Sequence, residues 1–137
     1  MGLRRPESSL TAKSPLVSVV DDDESVRESL PDLLRAFGFT AQAFSSAEEF
    51  LASGMIHETK CLILDIAMPG MSGPQLQREL AVRRQEIPIV FITGHGDASV
   101  RPQVLAQGAV ECLFKPFSDT ALLQAVNTAL GEAGEPP

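Results

Sequence analysis

An unbroken apolar run that stops at a single aspartate constrains this chain more than any other feature. Cys61-Leu62-Ile63-Leu64-Asp65 is followed by Ile66-Ala67-Met68-Pro69-Gly70, whose last two residues break regular structure. A strand with one face in water alternates apolar and polar residues, whereas a strand covered on both faces is apolar throughout. The run therefore predicts a buried strand of a parallel sheet over Cys61–Asp65. Ligands of open α/β sheets bind beyond the carboxyl ends of the strands. Position alone makes Asp65 a candidate site residue.

Four further stretches fit the same scheme. Leu16–Val20 halts at Asp21-Asp22-Asp23, and Thr40–Phe44 is a weaker run. Ile87–Thr93 leads into Gly94-His95-Gly96-Asp97, and Val110–Phe114 into Lys115-Pro116. Helical spacing fills the intervals. Val26, Leu30, Leu34 and Phe37 share one face before Gly38 stops the helix. Ser45 or Ser46 caps a short helix with acids in its first turn. Pro74 starts a helix carrying Leu76, Leu80 and Val82. A thin apolar face at 98–107, with Pro102 near the first turn, predicts the most mobile helix. Thr120–Leu130 puts Leu122, Val126 and Leu130 on one side, behind Ser118 or Asp119 as cap. Pro31 lies inside the first helix, where a proline removes one backbone bond at about 3 kcal/mol, so a kink or local break is expected there. Five strands alternating with five helices predict an α/β fold: a single doubly wound parallel sheet covered on both faces.

The 137 residues suit one domain. Residues 1–14 read as a disordered leader, 15–130 as the folded domain, and 131–137 as a tail or the start of a linker. A net charge of −7 disfavours direct nucleic-acid binding and suits a cation site or a basic partner. Cys61 and Cys112 fall inside strands, as small buried hydrophobes of a reducing compartment do, and with His57 and His95 they assemble no zinc-like spacing. No apolar segment follows Arg4-Arg5 as a secretory signal requires, and no run reaches the length of a membrane span, so a cytoplasmic protein with no membrane partner is expected.

The strand ends carry the chemistry. Asp21 and Asp22, Asp65, Thr93 and Lys115 follow four strands, and parallel strands bring those ends to one crevice. Three carboxylates there repel one another, at about 4 kcal/mol per pair for a separation of ~4 Å and an effective dielectric near 20. A raised pKa or a bound hard cation relieves this, and the cation is the favoured solution. Mg²⁺ suits one or two carboxylates while keeping waters and accepting a phosphoryl oxygen. A carboxylate can also act as nucleophile toward phosphorus, forming an acyl phosphate. Lys115 would add counter-charge and Thr93 a neutral donor. Asp23 reads as the cap of the first helix, and His95 as an exposed loop residue between two glycines.

The set Val20-Asp21-Asp22-Asp23, Leu64-Asp65-Ile66-Ala67-Met68-Pro69-Gly70-Met71-Ser72-Gly73, Ile92-Thr93-Gly94-His95-Gly96-Asp97 and Phe114-Lys115-Pro116-Phe117 resembles the receiver domain of two-component response regulators over about residues 15–130. The resemblance implies a sheet order of 2-1-3-4-5, with Asp65 accepting a phosphoryl group from a histidine kinase. It implies Mg²⁺ held by Asp22, Asp65 and the Ala67 carbonyl, with Asp21 acting through water. It makes Thr93 the switch hydroxyl, Lys115 the phosphate-pairing lysine, and the last two helices with the last strand the face toward a downstream output domain or protein. It also leaves room for a phosphorylation-dependent homodimer. One position departs from the pattern: Cys112 stands where receivers place a switch aromatic, three residues before the lysine, so the usual coupling cannot run unchanged.

Two other functions compete. A Mg²⁺-dependent aspartyl-phosphate phosphohydrolase would use Asp65 as nucleophile, but Ala67 occupies the place where such enzymes put an acid–base aspartate. A flavodoxin-like cofactor binder needs a phosphate cradle after the first strand, and Asp21-Asp22-Asp23 repels phosphate.

Overall fold

The computed structural model describes residues 14–94 and 99–132. Five strands, β1 (Leu16–Val20), β2 (Thr40–Phe44), β3 (Thr59–Asp65), β4 (Ile89–Thr93) and β5 (Glu111–Phe114), alternate with α1 (Glu24–Ala36), α2 (Ala47–Ala52), α3 (Gly73–Val82), α4 (Val100–Ala106) and α5 (Asp119–Glu132). The strands form one parallel sheet in the order β2-β1-β3-β4-β5.

Successive residues of a strand point to opposite faces, and here each face meets its own apolar layer. Val20, Leu62, Leu64 and Phe91 pack with Phe50, Leu76 and Val104, so α2, α3 and α4 cover one side. Val19, Ile63, Val90 and Ile92 pack with Leu34, Leu122 and Val126, so α1 and α5 cover the other. β1 and β4 are buried along their length and β3 is so from Cys61 onward, while the outer β2 and β5 show mixed patterns. That explains why Thr40–Phe44 reads as the weaker run.

Local signals set most boundaries. Asp23 accepts from the Ser25 N–H and caps α1. Ser46 caps α2 through the Glu49 N–H at 3.0 Å, and Ser118 accepts from the Ala121 N–H at 3.0 Å at the start of α5. Ser72 and Gln75 form a reciprocal capping box at α3, with Pro74 in the first turn. β3 begins two residues earlier than Cys61, at Thr59, and β4 two residues later than Ile87, at Ile89.

Three expectations need correction. Of the kink or local break expected at Pro31, the local break is absent: α1 runs as helix from Glu24 to Ala36. The proline ring is buried between the buried Leu30 and the fully buried Leu34, so core packing holds the turn that lacks a backbone bond. Phe37 does not join the apolar face: it is the C-cap of α1 and 57% exposed, because the chain leaves helical geometry there. Val82, the last residue of α3, is also turned out, at 77% exposed. Ala98, in the segment predicted as a helix at 98–107, lies outside the described residues, and α4 begins at Val100.

Candidate functional site

The three acids after β1 divide into three environments. Asp21 is fully buried; its Oδ1 accepts from the Asp23 N–H at 2.9 Å and its Oδ2 from Lys115 Nζ at 3.1 Å. Its own N–H donates to the Phe44 carbonyl, which keys it to the end of β2. Asp22 is exposed, and Asp23 is spent on the α1 cap. Asp65 ends β3 at 6% exposure. One oxygen from each of Asp21, Asp22 and Asp65 lies within 4.8 Å of the others. Lys115, just past β5, reaches into this cluster and stands 3.9 Å from Asp65 Oδ1.

Charge and burial act on one another here. Burial, then the charge of Asp21, push the Asp65 carboxyl up to about 7; Lys115 opposes this, while hydrogen bonding with Asp22 and Asp21 adds to it. Partial burial draws the Lys115 ammonium downward, but its hydrogen bond to Asp21 and the charges of Asp21 and Asp65 outweigh that and leave it raised. Three hard oxygen donors, one of them inclined to hold a proton for want of positive charge, are the donor set a small divalent cation prefers. The residues present fit Mg²⁺.

Thr93 closes β4 and is fully buried. It lies one residue beyond Ile92, the register partner of Asp65, and its carbonyl accepts from the Lys115 N–H at 2.7 Å. The sheet thus brings Asp21, Asp22, Asp65, Thr93 and Lys115 to one edge. His95 lies outside the described residues. Ala67 is exposed, two residues past Asp65.

Cys112 is buried in β5 and its side chain joins the layer beneath α4. Its backbone is held by a device with no local sign in the sequence. The Cys112 N–H donates to Glu111 Oε1 at 2.8 Å, and its carbonyl accepts from Arg101 Nε at 3.2 Å. Arg101 and Glu111 also pair directly at 2.6 Å, so α4 is tied to β5 beside the position where an aromatic was expected. Cys61 is buried on the opposite side of the sheet, and burial pushes its thiol up to about 12.

The loop after Asp65 is shaped by close approach. A side chain at Gly73 would overlap the Asp65 carbonyl oxygen and press on the Phe91 ring, so only glycine lets α3 start against the site strand. The Gly73 N–H donates back to the Ile66 carbonyl at 2.9 Å. Glu48, on α2, accepts from the Met71 N–H at 2.9 Å.

A doubly wound parallel α/β domain with an acidic, cation-suited pocket and a lysine at its carboxyl edge is the class defined so far. The chain belongs to the response regulator receiver domain family, whose sequence profile matches residues 17–127. Nodulation protein W of Bradyrhizobium diazoefficiens is 49% identical over 114 residues, which cover 83% of this chain and 50% of that protein. The transcriptional regulatory protein FixJ of Azorhizobium caulinodans is 40% identical over 119 residues, covering 87% of this chain and 56% of that one. Among solved structures, the response regulator StyR superposes with a TM-score of 0.82 at 47% identity, covering 88% of this chain and 61% of that one. The FixJ-N crystal structure superposes at 0.78 and 38% identity, covering 86% and 94%. The chain spans about half the length of the curated relatives it matches. Among the described residues no helix is long and apolar enough to cross a membrane.

Proposed function

We propose that this chain is a phosphoacceptor signalling domain that takes a phosphoryl group from a histidine kinase onto Asp65 and thereby changes a partner-binding surface. The observation that carries the reading is the cluster of Asp21, Asp22 and Asp65 with Lys115 inside it. An ionised Asp65 oxygen attacks phosphorus, the bond from phosphorus to the donor nitrogen breaks, and its electron pair leaves with the imidazole. Such a step asks the protein mainly for positioning and charge neutralisation.

Asp22 and Asp65 would hold Mg²⁺ together with the Ala67 carbonyl. Bound there, the ion supplies the positive charge that keeps Asp65 ionised and offsets the phosphoryl oxygens. Asp21 suits an indirect role through water, because both its oxygens already accept hydrogen bonds. Lys115 stands close enough to pair with the new phosphoryl group. That group adds about −1.5 to −2 charge beside Thr93; the Thr93 hydroxyl turns toward it, and the segment 94–107 follows. With Cys112 in place of an aromatic, the movement runs through the loop and α4. The output face is formed by α4, β5 and α5, toward a downstream domain or protein or a second phosphorylated copy.

Incubation with acetyl phosphate and Mg²⁺ tests the reading by intact mass. One added phosphoryl unit is expected, and none in Asp65→Asn; equal modification of both would end the proposal. Structures with and without beryllofluoride test the switch, which an unchanged 94–107 segment would remove. Multiple turnover of a small phosphate ester would favour the phosphohydrolase instead.

A further inference from the structure

We infer that Glu48, on α2, is a positioning residue for the cation side of the site, holding the loop that presents the Ala67 carbonyl. The inference rests on the phosphoacceptor reading and extends it to a residue with no place in the acidic cluster.

The loop leaves Asp65 and is fixed at both ends. The Ile66 N–H donates to the Ile92 carbonyl at 3.1 Å, and the Gly73 N–H returns to the Ile66 carbonyl at 2.9 Å. Ser72 is locked by Gln75, whose Oε1 accepts the Ser72 N–H at 2.8 Å. Between these anchors Ala67, Pro69 and Gly70 are exposed, and Pro69 has no N–H to give. At this span Gly70 turns with φ +75, and the next N–H, on Met71, meets the Glu48 carboxylate at 2.9 Å. A Cβ on Gly70 would stand 2.8 Å from the same Glu48 oxygen. Glycine backbone is therefore pressed against a carboxylate that comes from 23 residues away.

The two glutamates that open α2 have separate tasks. Glu49 folds back onto its own helix entry, accepting from the Ser45 N–H at 2.7 Å and the Ser45 hydroxyl at 2.8 Å. Glu48 points the other way, across to the site loop. A first-turn acid placed only for the helix dipole needs no partner on another element. An ionised acceptor for a backbone N–H makes a stronger bond than a neutral one, and this one fastens the middle of the loop between its two fixed ends.

The competing account is that Glu48 only contributes negative charge near a cation. Glutamine separates the two, since it keeps an acceptor oxygen and loses the charge. Mg²⁺ is titrated by calorimetry into the metal-free full chain of the wild type, Glu48→Ala, Glu48→Gln and Asp65→Asn, and Met71 amide exchange is followed by NMR without metal. Glu48→Ala is expected to weaken Mg²⁺ binding about 3- to 10-fold and to speed Met71 exchange by a similar factor. Glu48→Gln, which keeps the acceptor but loses the charge that strengthens the bond, should fall between wild type and Glu48→Ala on both readouts. Equal weakening by Ala and Gln would overturn the inference in favour of charge alone. Unchanged affinity and exchange in Glu48→Ala would overturn it outright. If Asp65→Asn binds Mg²⁺ as well as wild type does, the phosphoacceptor reading is at fault, and Met71 exchange still decides whether Glu48 holds the loop.

Discussion

At Asp65, burial and like charge work against ionisation, and the pH dependence of stability should show it. Its folded pKa, about 7, lies above the ordinary 3.8. A group raised in this way binds its proton more tightly in the folded state, so its stabilisation is present below the ordinary value and is lost as pH rises through about 7. In EDTA, Asp65→Asn should match wild type near pH 4 and become the more stable protein by pH 8. After allowance for screening at the open rim of the site the gain is about 1–2 kcal/mol. Urea melts at the two pH values measure it, and a variant equally destabilised at both would contradict the electrostatic account. The clustered residues were legible from sequence because each follows a strand and bears the chemistry on its own side chain. Glu48 was not: its contact depends on where α2 lies against a distant loop, and nothing near it in sequence marks that.

The helices show where local pattern ends and packing takes over. Spacing located α1, α3 and α5, but it carried the apolar face one residue too far at Phe37, where the chain is already leaving the helix. Val82, two residues past Leu80, falls on the open side of α3. At Pro31 propensity pointed to a local break that α1 does not show, because it ignores the burial of Leu30, Pro31 and Leu34. α3 and α4 meet through Gln77, which is buried, donates from Nε2 to the Val104 carbonyl at 3.2 Å, and leaves Oε1 with no partner among the described residues. That carbonyl also accepts from the N–H groups of Gln107 and Ala109, so it stays satisfied without Gln77. Gln77→Met should therefore leave stability unchanged or raise it by up to about 1 kcal/mol, read from urea midpoints. A clear loss would mean that Oε1 has a partner such as an ordered water. α4 contributes a single buried side chain, Val104, and its N-cap Ser99 makes no capping bond. Its tie to β5 through Arg101 should matter accordingly. Arg101→Ala is expected to raise amide exchange across Val100–Ala106 several-fold while β1 and β3 keep their protection, which hydrogen exchange measures directly.

For the molecule as a whole, the sheet places two well-packed apolar layers beneath an edge whose charges are poorly balanced. The core was legible as five apolar runs, and parallel strands then forced the acids together. What the sequence did not contain was the degree of burial at that edge: Asp21 is fully enclosed and Asp22 open, although they are adjacent. This asymmetry predicts how metal and proton compete. A cation bound to the folded state alone stabilises it by about 2.7 kcal/mol at a hundred times its dissociation constant. Binding at Asp65 requires the carboxylate, so Mg²⁺ affinity should be nearly constant above about pH 7 and fall roughly tenfold per unit below it, as protons occupy the raised group. Thermal melts with and without saturating Mg²⁺ should give a shift that is large at pH 8 and shrinks steadily toward pH 5. Asp65→Asn should show a small shift with no such slope, because its amide has no proton to lose. A slope that survives in Asp65→Asn would assign the titration to another carboxylate and place the conflict between burial and charge elsewhere in the cluster.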